Sequence, residues 1–188
     1  VGSVTERKCQ AMLVKTVARA ARERKLPLKL VIVGFRDQAQ RAAFLDSLDD
    51  DARAVLRPEA AFVTTPYAAS LLHACDLHVL NSQGSKGRGE CFGRATIEAM
   101  AAGLPVLGAD AGGTPEIIRD GVEGRLYPLG EDGQRVLKGQ LAELCADPEK
   151  RRAMAEAARH AAATRFHADR RHAEMTEALG RLTARAAP

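Results

Sequence analysis

Gly89–Met100 reads GECFGRATIEAM, an acidic loop between glycines followed by a run of helix-forming residues. Glycines on both sides of Glu90 allow the backbone to approach a ligand closely. The pattern predicts a helix that begins near Arg94. The unpaired N–H groups and the positive dipole end of that helix would face the space that contains Glu90. Glu98 lies just beyond this helix start.

The chemistry of this stretch favours a ligand that carries both an anion and hydroxyl groups. A helix N-terminus binds anions. A carboxylate such as that of Glu90 or Glu98 can accept hydrogen bonds from two neighbouring hydroxyl groups, which sugars offer. An anion-binding helix start between two such carboxylates is the arrangement expected of a nucleotide-sugar site.

Short apolar runs alternate with helical patterns on both sides of this stretch, which predicts an α/β fold with a doubly wound parallel sheet of six strands, Rossmann-like in topology. The strands are predicted at Val1–Val4, Leu30–Val33, Ala61–Val63, Leu77–Leu80, Val106–Ala109 and Gly124–Tyr127. The helices are predicted at Gln10–Lys25, Asp37–Leu45, Ala68–Ala74, Arg94–Ala102, Pro115–Arg119, Gln134–Ala146, Pro148–Arg165 and Ala168–Ala184.

The Gly89–Met100 stretch follows the predicted strand Leu77–Leu80, at the carboxyl edge of the sheet where ligands of doubly wound folds bind. The loop after the predicted strand Leu30–Val33 lies at the same edge but lacks the motif for a dinucleotide. Val33 is followed by Gly34-Phe35-Arg36 and no Gly-x-Gly-x-x-Gly motif, so dinucleotide binding of the dehydrogenase type is not expected.

The length of 188 residues suits one domain. The chain does not begin with methionine, and we expect it to be a piece of a longer protein. It shows neither an apolar run long enough for a membrane span nor a signal-peptide pattern. The four cysteines are scattered, as is typical of free thiols in the cytoplasm. The five histidines show no metal-ligand spacing, so no metal site is expected.

The charge pattern disfavours a nucleic-acid partner. The formal net charge is +4, and the basic residues alternate with acids along the predicted helices. Aromatic residues make up 4% of the chain and tryptophan is absent, which leaves little to stack on bases. A basic nucleic-acid-binding domain remains a third-ranked alternative, and it would bind polyanions with a steep salt dependence.

The chain resembles the retaining glycosyltransferases of the GT-B fold, in particular glycosyltransferase family 4 (group 1). The Glu-x7-Glu spacing of Glu90 and Glu98 carries this resemblance. Further motifs support it in order along the chain, at Val1–Lys8, Val33-Gly34, Cys75–Ser82, Gly103–Val106, Ala111–Ile118 and Asp120–Gly124. The resemblance implies the C-terminal half of a GT-B fold, which binds the sugar donor.

Family roles carry over to the motif residues. Glu98 is expected to hydrogen-bond both ribose hydroxyls of the donor nucleotide, and Glu90 to contact the transferred sugar near the reacting carbon. Backbone N–H groups of Cys91, Phe92 and Gly93 would face the sugar or the β-phosphate, with the Phe92 ring buried as a wedge. The position of Arg94 is compatible with a phosphate contact or with an exposed side chain.

Lys8 is the best candidate for a cation that binds the diphosphate. The family usually has Gly-Arg, then several residues, then Lys-Gly. Here Gly2 matches, but Ser3 replaces the arginine and Cys9 replaces the second glycine. Arg7, beside Lys8, is a partial substitute for the missing cation. These departures put catalytic competence in doubt.

Two further segments are expected near the donor. Val63, Thr64 and Thr65 lie where the family reads the nucleobase through backbone groups, and threonines at this place do not reveal which base is bound. Gly112 and Gly113 form a predicted binding loop, since adjacent glycines allow close approach of the backbone. The following Thr114-Pro115-Glu116 predicts a helix start with Thr114 as its cap.

The resulting hypothesis divides the chain into a nucleotide-sugar-binding domain, residues 1–167, and a C-terminal helix, residues 168–188, that packs on an absent N-terminal domain. The full-length enzyme would transfer a hexosyl group with retention of configuration, without a cofactor or metal, to a glycan, lipid or small-molecule acceptor. It would be cytoplasmic, with peripheral membrane association as an option. Residues 1–188 alone should not transfer sugar. The main alternative is a non-catalytic nucleotide-sugar-binding or assembly module.

Overall fold

The computed structural model describes residues 4–5, 8–56, 68–83, 90 and 92–185. Within them, four helices precede three short strands that alternate with helices, and three helices follow. The helices are α1 (Gln10–Arg24), α2 (Gln38–Asp46), α3 (Asp50–Ala54), α4 (Ala68–Leu72), α5 (Arg94–Ala101), α6 (Thr114–Ile117), α7 (Gly130–Ala146), α8 (Pro148–Arg165) and α9 (Ala168–Arg185). The strands are β1 (His78–Leu80), β2 (Val106–Ala109) and β3 (Gly124–Tyr127).

The three strands form a parallel sheet in the order β1-β2-β3. Val79 pairs with Leu107, and Leu107 in turn pairs with Arg125. Gly124, at the start of β3, has no room for a side chain, because an added Cβ would lie 1.8 Å from the Val106 carbonyl oxygen. The close approach of β2 and β3 therefore requires glycine at this position.

Helices cover both faces of the sheet, and β2 shows why. Leu107 and Ala109 belong to the larger core cluster, which α1, α3 and α7 complete. Val106 belongs to a second cluster that includes Met100 of α5 and Ala158 of α8. Successive strand residues point to opposite faces, so a continuous apolar strand is stable only when both faces are covered. The prediction of an α/β fold with a parallel sheet is confirmed.

The sheet is smaller in the described residues than predicted. β2 and β3 have the predicted bounds, and β1 begins one residue later. Leu30–Val33 is not a regular strand there: Leu30 makes an isolated parallel bridge to Leu56, and Val4 N donates to Gly34 O at 3.1 Å. Residues 1–3 and Ala61–Val63 lie outside the described residues, so a count of six strands is not shown.

Local signals set most helix bounds. Asp37 caps α2 and Asp147 caps α8, each by accepting a hydrogen bond from a backbone N–H, and Pro148 occupies the first turn of α8. The short helix α3 was not predicted. Asp49 could have indicated this helix, because an aspartate ahead of two further acids is a typical helix start. In the structure Asp49 caps α3 and accepts from Ala52 N at 2.8 Å.

The C-terminal helix α9 presents apolar side chains to solvent. Met175 is 58% exposed and Leu179 is 56% exposed. That this helix packs on another domain, separate from residues 1–167, stays a prediction. No helix in the described part of the chain has the length and apolar character needed to cross a membrane.

Candidate functional site

The predicted loops meet at the carboxyl edge of the sheet. Asn81 and Ser82 directly follow β1, and the loop with Gly112 and Gly113 follows β2. Because the strands are parallel, their carboxyl ends lie at one edge, where ligands of such sheets bind.

Glu90 is positioned at this edge by backbone contacts. It forms an isolated parallel bridge with Gly112, and Gly113 N donates to Glu90 O at 2.8 Å. The Gly112 backbone has φ of 58°, a left-handed conformation that glycine adopts readily. Gly112 and Gly113 therefore both help to hold the backbone of Glu90 in place.

The Glu90 carboxylate contacts one cation and one hydroxyl. Lys8 Nζ lies 3.4 Å from Oε2, and the side chains of both residues are 16% exposed. Ser82 Oγ donates to the same oxygen at 3.2 Å. Both contacts within the described part of the chain go to Oε2, which leaves Oε1 as the oxygen for a ligand hydroxyl. The structure thus brings together Lys8 and Glu90, two of the predicted site residues.

The N-terminus of α5 lies next to Glu90. Gly93 is the N-cap, with φ of 66° and no side-chain capping hydrogen bond. A Cβ added at Gly93 would lie 3.5 Å from Glu90 Cγ and 3.3 Å from Ile117 Cδ1, so the helix start packs directly against the acid. The first N–H groups of a helix lack partners within the helix and carry its positive dipole end.

Glu98 and Arg94 are exposed on α5, one turn apart on the same side of the helix. The opposite side is buried and includes Thr96, Ala99 and Met100. Of the two acids in the motif, Glu90 is therefore largely buried and paired, and Glu98 is in solvent.

Two predictions about this region are wrong. Phe92 is 56% exposed and is not a buried wedge, because it lies in the turn ahead of α5 and outside the buried face of that helix. Thr114 does not cap α6. The N-cap is Gly113, and Thr114 begins the helix with its hydroxyl buried and without a partner in the described residues.

Several predicted donor-binding residues lie outside the described residues. They are Gly2, Ser3, Arg7, Val63, Thr64, Thr65 and Cys91. Their roles remain predictions.

Sequence reasoning assigned no function to Asn81 or Ser82. Ser82 contacts Glu90 as described above, and Asn81 Nδ2 donates to Cys9 O at 2.9 Å. The available signal was the position of these two polar residues, directly after a buried strand at the ligand-binding edge.

His78 is the buried histidine of β1. Its side chain is almost fully enclosed, and Nε2 has no hydrogen-bond partner in the described residues. Burial lowers the pKa of His78 to about 3, with a smaller contribution from the positive charges nearby. The imidazole is therefore neutral at physiological pH and acts as a core residue. No three metal-ligating side chains cluster within the described ranges.

A cavity of about 610 Å³ lies between residues 30–33 and β1, and its walls are mostly apolar. Lys8 and Ser82, which contact Glu90, are among its lining residues. The polar contacts at Glu90 therefore lie at the border of this cavity.

Comparison with protein families identifies the chain. Residues 1–161 match the family of glycosyl transferases group 1. The chain belongs to the group 1 glycosyltransferases. Its fold is that of the C-terminal domains of GT-B glycosyltransferases.

Individual relatives of this group 1 glycosyltransferase support the assignment. Over 95 residues it is 41% identical to D-inositol 3-phosphate glycosyltransferase of Mycobacterium tuberculosis, covering 50% of this chain and 19% of that protein. HepE of Anabaena, solved in complex with UDP-glucose, matches with a TM-score of 0.74 and 26% identity, over 95% of this chain and 48% of that one.

A third comparison concerns an isolated domain. The C-terminal domain of LpcC, a group 1 glycosyltransferase of Francisella tularensis, matches with a TM-score of 0.70 and 20% identity, over 89% of this chain and 84% of that domain. The chain thus spans about half the length of HepE and most of the LpcC domain.

Proposed function

We propose that this chain is the donor-binding domain of a retaining, family 4-type enzyme that transfers a hexosyl group from a nucleoside diphosphate sugar. One observation carries the proposal: Glu90 lies between Lys8 and the start of α5, and within the described residues both of its side-chain contacts go to Oε2. This arrangement offers an anion site and a hydroxyl acceptor side by side. HepE binds UDP-glucose, which makes UDP and UDP-glucose the first ligands to test.

The diphosphate would bind Lys8 and the first N–H groups of α5. In the transition state the leaving diphosphate gains negative charge, and positioned donors that already point at it stabilise that charge without reorganisation. Lys8 is 16% exposed, so its ammonium group interacts more strongly with a nearby anion than a fully solvated lysine would. Arg7 would supply a second charge.

The two acids would divide the recognition of the donor. Glu90 would orient the transferred sugar through Oε1, and Glu98 would accept hydrogen bonds from the ribose hydroxyls. We propose front-face retention, which is the mechanism that the family resemblance implies. Because GT-B sites close between two domains, the acceptor would bind mainly to an N-terminal domain, and residues 1–188 alone would not transfer sugar.

Replacing Glu98 tests this division directly. Glu98→Ala should weaken UDP binding by about 1–3 kcal/mol, because one or two hydrogen bonds to a charged acceptor are lost. Isothermal titration calorimetry on the intact protein measures the effect. Glu149→Ala, which removes another exposed helical acid, is the control and should not change the affinity. If the unmutated protein binds UDP and its 2′,3′-dideoxy analogue equally well, Glu98 does not contact ribose.

Metal dependence tests the role of Lys8. If protein cations neutralise the diphosphate, then UDP affinity should be the same in EDTA and in millimolar magnesium. Calorimetric titrations in the two buffers at equal ionic strength measure this. Loss of binding in EDTA would show that a metal ion bridges the diphosphate and that the assignment of Lys8 is wrong.

The alternative of a non-catalytic binding module rests on Ser3, which stands where the family has arginine. A binding module would retain UDP-glucose affinity and show neither transfer nor donor hydrolysis in the intact protein. If Arg7 substitutes for the missing cation, then Arg7→Ala should abolish turnover in the enzyme.

A further inference from the structure

The residue after Lys8 has an unusual backbone conformation. Cys9 has φ of 47° and ψ of 40°, and it is the N-cap of α1. Among the described residues, only Cys9 and Lys25 combine a side chain with positive φ. This left-handed conformation costs free energy for any residue with a Cβ and almost none for glycine, the residue that the family resemblance places here.

Asn81 contacts this strained position from the end of β1. It is buried, and Nδ2 donates to Cys9 O at 2.9 Å. The same carbonyl accepts the first helical hydrogen bond of α1, from Leu13 N at 3.0 Å. One side-chain amide thus joins the sheet edge, the Cys9 turn and the start of α1.

The orientation of the Asn81 amide is determined by its neighbours. The Cys9 carbonyl can only accept, so it must face the NH₂ group. On the other side, Oδ1 accepts from Gln83 Nε2 at 3.1 Å and lies 3.0 Å from the Tyr127 hydroxyl. Burial raises the pKa of Tyr127, so its hydroxyl keeps the proton and remains a donor. Asn81 therefore cannot rotate without losing partners on both sides.

Adjacent residues of one loop contact Glu90 and the residue that follows Lys8. Ser82 donates to the Glu90 carboxylate, and Asn81 fixes the peptide carbonyl one residue beyond Lys8. The backbone direction at Cys9 determines where the Lys8 side chain begins. A change of Cys9 to the right-handed region would move Lys8 relative to the start of α5.

We propose that Asn81 is a positioning residue, which holds Cys9 in the left-handed conformation and thereby directs Lys8 toward the donor diphosphate. The inference rests on the proposed role of Lys8. It assigns to Asn81 the task of stabilising a conformation that glycine would adopt unaided.

The test compares UDP with UMP, which lacks the β-phosphate, by calorimetry on the intact protein. Lys8→Met should reduce UDP affinity about tenfold and leave UMP affinity within about twofold. Asn81→Leu should reduce UDP affinity about five- to tenfold with the same selectivity. Adding Cys9→Gly to Asn81→Leu should restore most of the UDP affinity, because glycine needs no partner to adopt this backbone conformation.

Gln140→Leu is the matched control. Gln140 is another buried amide that donates to a backbone carbonyl, Leu126 O at 2.8 Å, and it makes this contact from α7. Its replacement should leave the ratio of UDP to UMP affinity unchanged. Circular dichroism and chemical unfolding establish that each variant is folded, and Asn81→Ala replaces Asn81→Leu if the leucine is not accommodated.

The outcomes separate this inference from the proposed function. If Lys8→Met binds UDP as tightly as the unmutated protein, the proposed role of Lys8 is wrong and this inference is overturned with it. If Lys8→Met is impaired but Asn81→Leu is not, only the positioning role is overturned. The positioning role is also overturned if Cys9→Gly fails to restore UDP affinity, since Asn81 would then act through general packing.

Discussion

Glu123 and Glu90 are both acids enclosed by the fold, and their surroundings differ. The Glu123 side chain is fully buried, and it accepts hydrogen bonds from two arginines and one backbone N–H: Arg119 N to Oε2 at 2.9 Å, Arg119 Nε to Oε1 at 2.8 Å, and Arg165 to Oε1 at 3.1 Å. The Glu90 side chain is 16% exposed and has one cation at 3.4 Å and one hydroxyl.

The difference distinguishes a structural acid from a binding acid. Burial alone would raise the pKa of Glu123, but its hydrogen bonds and the charge of Arg119 outweigh burial, so the pKa is lowered and the group stays ionised. Both of its oxygens have partners and the side chain is fully buried, so a ligand in solution does not reach it. Arg165 also donates to the Glu116 carbonyl, so this cluster joins α8 to α6. In the part of the chain that the structure describes, Glu90 Oε1 has no such partner.

Glu123→Ala should give the largest loss of stability. It removes the carboxylate that Arg119, Arg165 and the Arg119 backbone N–H share, so the free energy of unfolding should fall by about 2–4 kcal/mol. Urea denaturation measures this. The control is Glu149→Ala, which breaks an exposed pair with Arg152 and should cost under about 1 kcal/mol. A small loss at Glu123 would contradict its structural role.

His78 sharpens the comparison, because it is buried like Glu123 but lacks compensating partners in the described residues. Its pKa is about 3 in the folded state, against 6.5 for an ordinary histidine. Between these values the unfolded chain binds a proton that the folded chain does not, so stability falls as pH decreases through this window. By pH 5 the loss should be about 2 kcal/mol.

Urea denaturation at pH 7 and pH 5 tests this, with His78→Phe as the comparison. The variant should lose the part of the pH dependence that His78 causes. An unchanged difference between pH 7 and pH 5 in His78→Phe would assign the acid sensitivity to other groups.

Glu90→Gln should have the smallest effect on stability and a selective effect on binding. The glutamine keeps the shape of the side chain, so the unfolding free energy should change by less than about 1 kcal/mol. UDP-glucose affinity should fall about tenfold, or about 1.4 kcal/mol, through weaker hydrogen bonds to the sugar, while UDP affinity stays within about twofold. Equal losses of affinity for both ligands would show that Glu90 contacts the nucleotide and not the sugar.

Local patterns predicted much of the fold. β2 and β3 are continuous apolar or glycine-started runs, and α8 begins at Asp147-Pro148, a cap followed by a residue suited to the first turn. Glu90 and Glu98 were found because their spacing around a glycine and a helix start is a contiguous signal. These features depend on residues within about two helical turns of each other.

The tertiary structure decided which polar residues support the site and which acid is enclosed. Asn81 contacts Cys9 across 72 positions of sequence, and Tyr127 reaches Asn81 across 46. No periodicity reports such pairs, because the winding of the sheet brings the segments together. Two local predictions were wrong as well: Phe92 is exposed and was predicted to be buried, and Gly113 caps α6 in place of the predicted Thr114. The sequence by itself determined the motif and the α/β class. Packing at the sheet edge decided the partners of each side chain, since contacts between distant segments depend on the complete arrangement of helices around the strands.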